Sequence, residues 1–198
     1  MTRRATALGV GHYLPARIVP NAEFEACLDT SDEWIRSRSG IERRRFAADD
    51  EATSDLATHA ARAALADAGI DAQDIDGLIV ATSTPDLTFP SVATMVQTRL
   101  GMTYGFGFDV QAVCAGFVYA LSTANAMIVS GQCERILVIG AETFSRIMDW
   151  SDRGTCVLFG DGAGAVLLGA AEGCGTNADR GILSIDLNSD GRYRDMLY

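Results

Sequence analysis

The stretch Phe106-Gly107-Phe108-Asp109-Val110-Gln111-Ala112-Val113-Cys114-Ala115-Gly116-Phe117-Val118-Tyr119-Ala120-Leu121-Ser122-Thr123-Ala124-Asn125-Ala126-Met127-Ile128-Val129 decides the fold. Residues 106–110 read as a strand. The segment from Cys114 to Val129 is too rich in alanine and too long for a strand, is apolar almost all round, and is closed by Gly131. It reads as a buried helix. A strand that turns into a buried helix is a unit of a layered α/β domain.

Outward from that unit the same grammar repeats. Upstream, residues 4–10 read as a strand that breaks at Gly11 and Pro15. Ser31 predicts a cap on a short helix from Asp32 to Ser37, with acids in its first turn where the helix dipole favours them. A longer helix is expected from Ser54 to Ala68, with Leu56, Ala60, Ala63, Ala64 and Leu65 near a 3.6-residue period and Gly69 as its stop. Leu78-Ile79-Val80-Ala81 has the continuous apolar character of a strand buried on both faces, and Ser91 starts a helix that ends at Gly101. Downstream, Arg135 to Ala141, Val157 to Phe159, Gly164 to Gly169 and Gly181 to Asp186 read as strands. The order β-α-α-β-α-β-α-β-β-β predicts an α/β layered domain with a mixed sheet, in which residues 1–198 form one unit.

Composition narrows the function. A 198-residue chain with 48% hydrophobic residues can bury a full core. A formal charge of −10 argues against general nucleic-acid binding, which needs a basic surface. All 16 cations are arginines, and Arg36, Arg38, Arg43, Arg44 and Arg45 crowd together. The simplest reading is a solvated loop, although arginine forks also suit phosphates or an acidic partner. No apolar run reaches the roughly 18 residues of a membrane span, and Met1-Thr2-Arg3-Arg4-Ala5 leads into no signal peptide, so a cytoplasmic protein without membrane contact is expected. Cys27, Cys114, Cys133, Cys156 and Cys174 have neither disulfide nor zinc spacing and should be free thiols, with no metal site.

Familiar catalytic motifs are missing. Gly160-Asp161-Gly162-Ala163-Gly164 precedes the strand-like Val166-Leu167-Leu168 rather than a helix, so a dinucleotide site loses to tight backbone packing. There is no Walker A sequence, G-x-S-x-G elbow or H-E-x-x-H. His12 and His59 read as surface or packing residues. Asp149, Asp152 and Asp161 read as turn and cap residues rather than a carboxylate cluster. Cys114 stands apart. At the start of a buried helix, first-turn N–H groups and the positive end of the dipole lie near its sulfur, which favours the thiolate and offers donors to an oxyanion. The alternative is an inert buried cysteine.

Several stretches in fixed order resemble the ketoacyl synthase III family, initiating condensing enzymes of bacterial type II fatty-acid synthesis in the thiolase-like superfamily. They are Asp29-Thr30-Ser31-Asp32-Glu33-Trp34-Ile35, Arg38-Ser39-Gly40-Ile41, Phe89-Pro90-Ser91, Phe108-Asp109-Val110, Cys114-Ala115-Gly116-Phe117, Asp152-Arg153-Gly154-Thr155 and Phe159-Gly160-Asp161-Gly162-Ala163-Gly164-Ala165. The resemblance implies a thiolase-like fold, layered α-β-α, with one of two pseudo-repeated halves present. It implies that Cys114 accepts an acyl group from acyl-CoA, a substrate rather than a resident cofactor, and that malonyl-acyl carrier protein is the second substrate. Trp34 and Arg153 would sandwich the adenine of coenzyme A, with Thr30 hydrogen-bonding nearby and Arg38 helping to hold the phosphates. Phe144 and Phe159 would line the acyl pocket, and Phe89 of the partner subunit would reach into it in a homodimer.

Two positions depart from the family pattern. Val113 stands where alanine is common, and Phe144 replaces what is often a smaller aliphatic residue. The phenyl ring predicts a short starter, acetyl or propionyl. The family's H-Q-A-N, N-T-S-A and G-G-G-F motifs do not occur, so the histidine and asparagine that would stabilise the enolate are expected from a C-terminal half outside this sequence. That half would also cover an apolar face. Two other functions compete: a condensing acyltransferase of polyketide or quinolone synthesis, and a non-catalytic dimerisation half.

Overall fold

In the computed structural model, which describes residues 1–196, every residue of β4 (Gly77–Ala81) is buried. Such a strand needs neighbours on both edges and helices over both faces. β4 pairs in parallel with β5 (Phe106–Val110) and with β6 (Arg135–Thr143). β6 then pairs antiparallel with β7 (Asp161–Gly173), and β7 with β1 (Thr2–Tyr13), giving the order β1-β7-β6-β4-β5. This is the mixed sheet that the sequence predicts.

Alternation along the central strands builds two cores. Leu78 and Val80 of β4, with Leu137 and Ile139 of β6, face helices α3 (Thr53–Ala68) and α4 (Val92–Arg99). Ile79, Ile136 and Val138 face α5 (Gly116–Val129) on the other side. Leu56, Ala57, Ala60, Ala61, Ala64 and Leu65 form the buried stripe of α3, and Asp55 accepts the Ala52 N–H at 2.8 Å to cap it. Asp109 of β5 caps α4 by accepting the N–H groups of Val92 and Ala93 at 2.7 and 2.8 Å, so the sheet itself fixes that helix.

Four sequence expectations need correction. β1 does not break at Gly11, which pairs with Ala165 inside the strand. Its lack of a side chain serves close packing instead: a Cβ there would lie 2.3 Å from Ala64 N and 2.4 Å from Ala60 O, so α3 rides directly on the β1 backbone. Helix α5 is not buried all round. Only Gly116, Ala120, Ala124 and Ile128 are fully buried, one per turn against the sheet, while Val118 and Val129 are 44% and 42% exposed on the outer face. Val157 to Phe159 lies in a run of turns, and Gly181 to Asp186 forms no strand. The latter segment is held to the sheet by Ile182 N–H, which donates to Ala5 O at 2.8 Å.

A small lobe was not legible in the sequence apart from its helix capped by Ser31. β2 (Arg17–Pro20) pairs antiparallel with β3 (Arg43–Phe46), flanked by α1 (Asn21–Glu25) and α2 (Asp32–Ser39). Val19, Phe24, Ile35, Phe46, Cys156 and Val157 fill its own core. The arginine cluster is therefore not simply a solvated loop: Arg43 to Arg45 form β3, and Arg44 is only 8% exposed. Ser31 caps α2 as expected, its Oγ accepting from Trp34 N–H at 3.1 Å.

Candidate active site

The parallel strands β5, β4 and β6 all end on the same edge of the sheet, where crevices form in open α/β sheets. Just beyond β5, Val113–Ala115 make a 3-10 turn that leads into α5. Cys114 sits in that turn rather than in the first turn of the α-helix, and its side chain is exposed. The turn uses two of the donors expected to be free: Ala115 N–H bonds Ala112 O at 3.1 Å, and Gly116 N–H bonds Val113 O. The Cys114 N–H precedes this ladder, as the orphan donors at a helix start do. Val113 has φ +46°, a left-handed conformation costly for a β-branched residue, of order 1–3 kcal/mol. Backbone strain thus sits directly beside the cysteine.

Cys114 opens into a cleft of about 480 Å³. Ala81 at the end of β4, Glu142 on β6, and Phe144, Phe159 and Gly162 line it with Cys114. Phe144 and Phe159 stack with centroids 4.7 Å apart, forming one aromatic wall. Glu142 is anchored rather than free, accepting from Ser83 N–H at 2.8 Å and Thr84 Oγ at 2.5 Å. Sequence reading passed over it; the available signal was an acid ending the apolar strand Ile139-Gly140-Ala141. Among the other thiols, burial pushes those of Cys133 and Cys156 above the ordinary cysteine range, which disfavours their thiolates.

The residues expected to hold a nucleotide gather on the small lobe. The Arg38 and Arg153 guanidinium carbons stand over the Trp34 ring at 4.5 and 5.2 Å from its centroid. Arg153 also donates to the Asp29 carbonyl and lies 3.2 Å from the Asp29 carboxylate. Thr30 Oγ1 is buried without a hydrogen-bond partner among the described residues. Phe89, by contrast, is 82% exposed and lies outside the lining of its own chain's cleft. Its loop is held by Asp86, which accepts from Ser54 N–H and Oγ at 2.8 and 2.5 Å.

The remaining polar residues take structural roles. Asp149 and Asp152 accept from Ser151 and from Gly154 and Thr155, which holds both carboxyls below the usual range. Asp161 is buried and accepts from Ala47 N–H, Ser145 N–H and Ser145 Oγ. His59 stacks on Tyr13 at 4.5 Å, and neither histidine lines the cleft. Among the described residues no group of three His, Cys, Asp or Glu could hold a metal ion, and no helix is long and apolar enough to cross a membrane.

Comparison with known proteins places these residues in context. Residues 108–191 match the family described as 3-oxoacyl-[acyl-carrier-protein (ACP)] synthase III. The chain is 76% identical, over its whole length, to a beta-ketoacyl-[acyl-carrier-protein] synthase III of Ruegeria pomeroyi, and covers 61% of that protein. It superposes on the 3-oxoacyl-(acyl carrier protein) synthase III of Pseudomonas aeruginosa with TM-score 0.90 and 42% identity, over 98% of this chain and 60% of the other. The priming beta-ketosynthase of the R1128 polyketide pathway gives TM-score 0.83 and 40% identity, over 86% and 51%. The layered sheet is thus a partial thiolase-like fold, and the chain spans about three-fifths of the length of the curated relatives it matches.

Proposed function

We propose that this chain is part of a 3-oxoacyl-[acyl-carrier-protein] synthase III, as its 76% identity to the Ruegeria pomeroyi protein supports, and that the whole protein initiates fatty-acid synthesis by condensing a short acyl-CoA with malonyl-acyl carrier protein. The observation that carries this reading is Cys114, exposed in a cleft at the ends of three parallel strands and facing an aromatic wall.

In the first half-reaction the Cys114 thiolate attacks the thioester carbonyl. The oxyanion that develops would be stabilised by backbone N–H groups such as that of Cys114, which precedes the hydrogen bonds of the 3-10 turn. The carbon–sulfur bond to coenzyme A then breaks, the coenzyme leaves as its thiol after taking a proton, and an acyl-cysteine remains. In the second, malonyl thioester loses carbon dioxide and its enolate carbon attacks the acyl-cysteine carbonyl, releasing the Cys114 thiolate. The histidine and asparagine that steady the enolate would come from residues outside this sequence, in the C-terminal half that residues 1–198 lack.

Trp34 and Arg153 would hold the adenine, Thr30 would accept or donate one hydrogen bond, and Arg38 would meet phosphate. Phe144 and Phe159 would bound the acyl chain, with Phe89 of the partner subunit entering across a homodimer. No resident cofactor is needed, because the thioester supplies the activated acyl group. A cytoplasmic location fits five unpaired thiols, which stay reduced there. Release of carbon dioxide from malonyl-acyl carrier protein, dependent on prior acetyl-CoA loading, is the test for the full-length protein; loading without release refutes the condensation.

A second reading is favoured by one finding, the 40% identity to a polyketide priming ketosynthase. Turnover with a polyketide carrier and none with the fatty-acid carrier would select it. A non-catalytic dimerisation half is a third reading: it requires Cys114 to react with iodoacetamide no faster than a model thiol at neutral pH.

A further inference from the structure

Among the described residues Arg44 has no carboxylate partner, although it is 8% exposed and its charge is costly to bury. Its fork is spent on three carbonyl-type acceptors, two of them short and in different segments, with Nη1 also 3.4 Å from Val19 O. Nη1 donates to Asn21 Oδ1 at 2.7 Å, and Nη2 donates to Val157 O at 2.7 Å. Asn21 is itself 1% exposed, and its amide nitrogen donates to Asp32 Oδ1 at 2.8 Å. The guanidinium therefore reaches the first turn of α2 through Asn21 on one side and residues 152–160 on the other. It is stacked on Phe24, with its central carbon 4.5 Å from the ring centroid, which leaves it one orientation. Nε has no partner among the described residues.

The two tied segments carry the two jaws of the proposed nucleotide clamp: α2 carries Trp34 and residues 152–160 carry Arg153, with Phe159 of the acyl pocket at the same segment's other end. The segment is seated a second time at Gly160, where a Cβ would meet Arg44 Cβ at 3.0 Å and Arg45 O at 3.1 Å. β3 is thus the bed on which residues 157 and 160 rest, and Phe159 lies between those two contacts.

We propose that Arg44 is a positioning residue for acyl-CoA recognition, a buried pin that sets the Trp34-to-Arg153 spacing and the Phe159 wall together. It touches no substrate. A lysine could keep the charge and one of the two short bonds but not the fork; a methionine would fill much of the volume and keep neither. A structural cation alone would serve the lobe's stability without any preference between jaws and pocket.

This proposal rests on the function proposed above, and its test separates the two. In the full-length protein, Arg44→Met and Arg44→Lys are compared with Val96→Ala, a core change on α4 far from the lobe. Arg44→Met is expected to raise KM for acetyl-CoA about ten- to a hundredfold with kcat within about threefold, as loss of hydrogen bonds to a charged group would. Arg44→Lys should fall between, and Val96→Ala should lower the thermal midpoint without moving KM. Amide exchange of residues 152–160 should quicken in Arg44→Met and not in Val96→Ala. An unchanged KM with unchanged exchange overturns the pin, as does a KM rise that Val96→Ala reproduces. Should the parent protein not load acetyl from acetyl-CoA at all, the function above falls, while exchange at residues 152–160 still decides whether Arg44 holds that segment.

Discussion

Replacing Trp34 by alanine should weaken acetyl-CoA far more than it weakens an acetyl donor without a nucleotide. The Arg153 guanidinium stands 5.2 Å from the Trp34 ring centroid. An aromatic base between them needs two van der Waals contacts, a separation of about 7–8 Å. Arg153 must therefore move outward by about 2–3 Å and release Asp29, an exposed ion pair whose loss costs little. Stacking of the base returns about 1–3 kcal/mol by alanine substitution, so Trp34→Ala should raise KM for acetyl-CoA about five- to 150-fold. Arg153→Ala removes one face of the sandwich but also frees the other, and should cost only about two- to fivefold, the worth of an exposed cation–π contact. The assay is Cys114 acetylation in the full-length protein with acetyl-CoA and with acetyl-pantetheine. Equal losses on both donors for Trp34→Ala, or a larger loss for Arg153→Ala than for Trp34→Ala, would refute the clamp.

Three further outcomes follow from the packing. Phe144→Ala opens one side of the stacked wall, and each additional buried methylene is worth about 0.8 kcal/mol; octanoyl-CoA should gain on acetyl-CoA at least about tenfold in kcat/KM, and an unchanged ratio would remove Phe144 from the pocket. Gly11→Ala forces a Cβ to 2.3 Å from the Ala64 nitrogen and should destabilise by about 1–3 kcal/mol or more, read as a lower denaturation midpoint; a parent-like midpoint would contradict the close approach of α3 to β1. The Tyr13 hydroxyl donates to Glu51 at 2.5 Å, which holds the Glu51 carboxyl below its ordinary range and pushes the Tyr13 hydroxyl up. Glu51 then stabilises the fold above the ordinary carboxylate pKa of about 4.3, and this is lost as pH falls through its lower folded value, while the Tyr13 contribution is present below about 10 and lost as pH rises further. Tyr13→Phe should cost about 1 kcal/mol at neutral pH, discounted for partial exposure, and the gap should close in acid; a gap constant from pH 7 to 3 would contradict it.

The layered core could be read because its signals are local. The period of α3, the Ser91 cap and the apolar run at residues 78–81 each lie where their sequence advertises. The small lobe could not, because its strands are four residues long and β3 is three arginines and a phenylalanine. Arg44 is buried only because Asn21, Val19 and Val157, distant in sequence, turn their oxygens towards it. Val157 to Phe159 has strand-like composition, yet the Asp152-centred turns claim its backbone first, with Cys156 N–H on Asp152 O at 3.0 Å and Leu158 N–H on Thr155 O at 3.0 Å. At the candidate site, Cys114 and Phe159 lie in motifs that carry the resemblance, whereas Phe144 lies in none of them. The left-handed Val113 and the anchoring of Glu142 are long-range consequences of the fold, and no spacing rule encodes them.

The central claim is that Cys114 is the residue that takes the acyl group. Full-length protein incubated with acetyl-CoA and digested should show the acetyl mass increase on the peptide containing Cys114, none on those containing Cys27 or Cys174, and none at all in Cys114→Ala. Acetyl found on another cysteine, or retained in Cys114→Ala, would contradict the account.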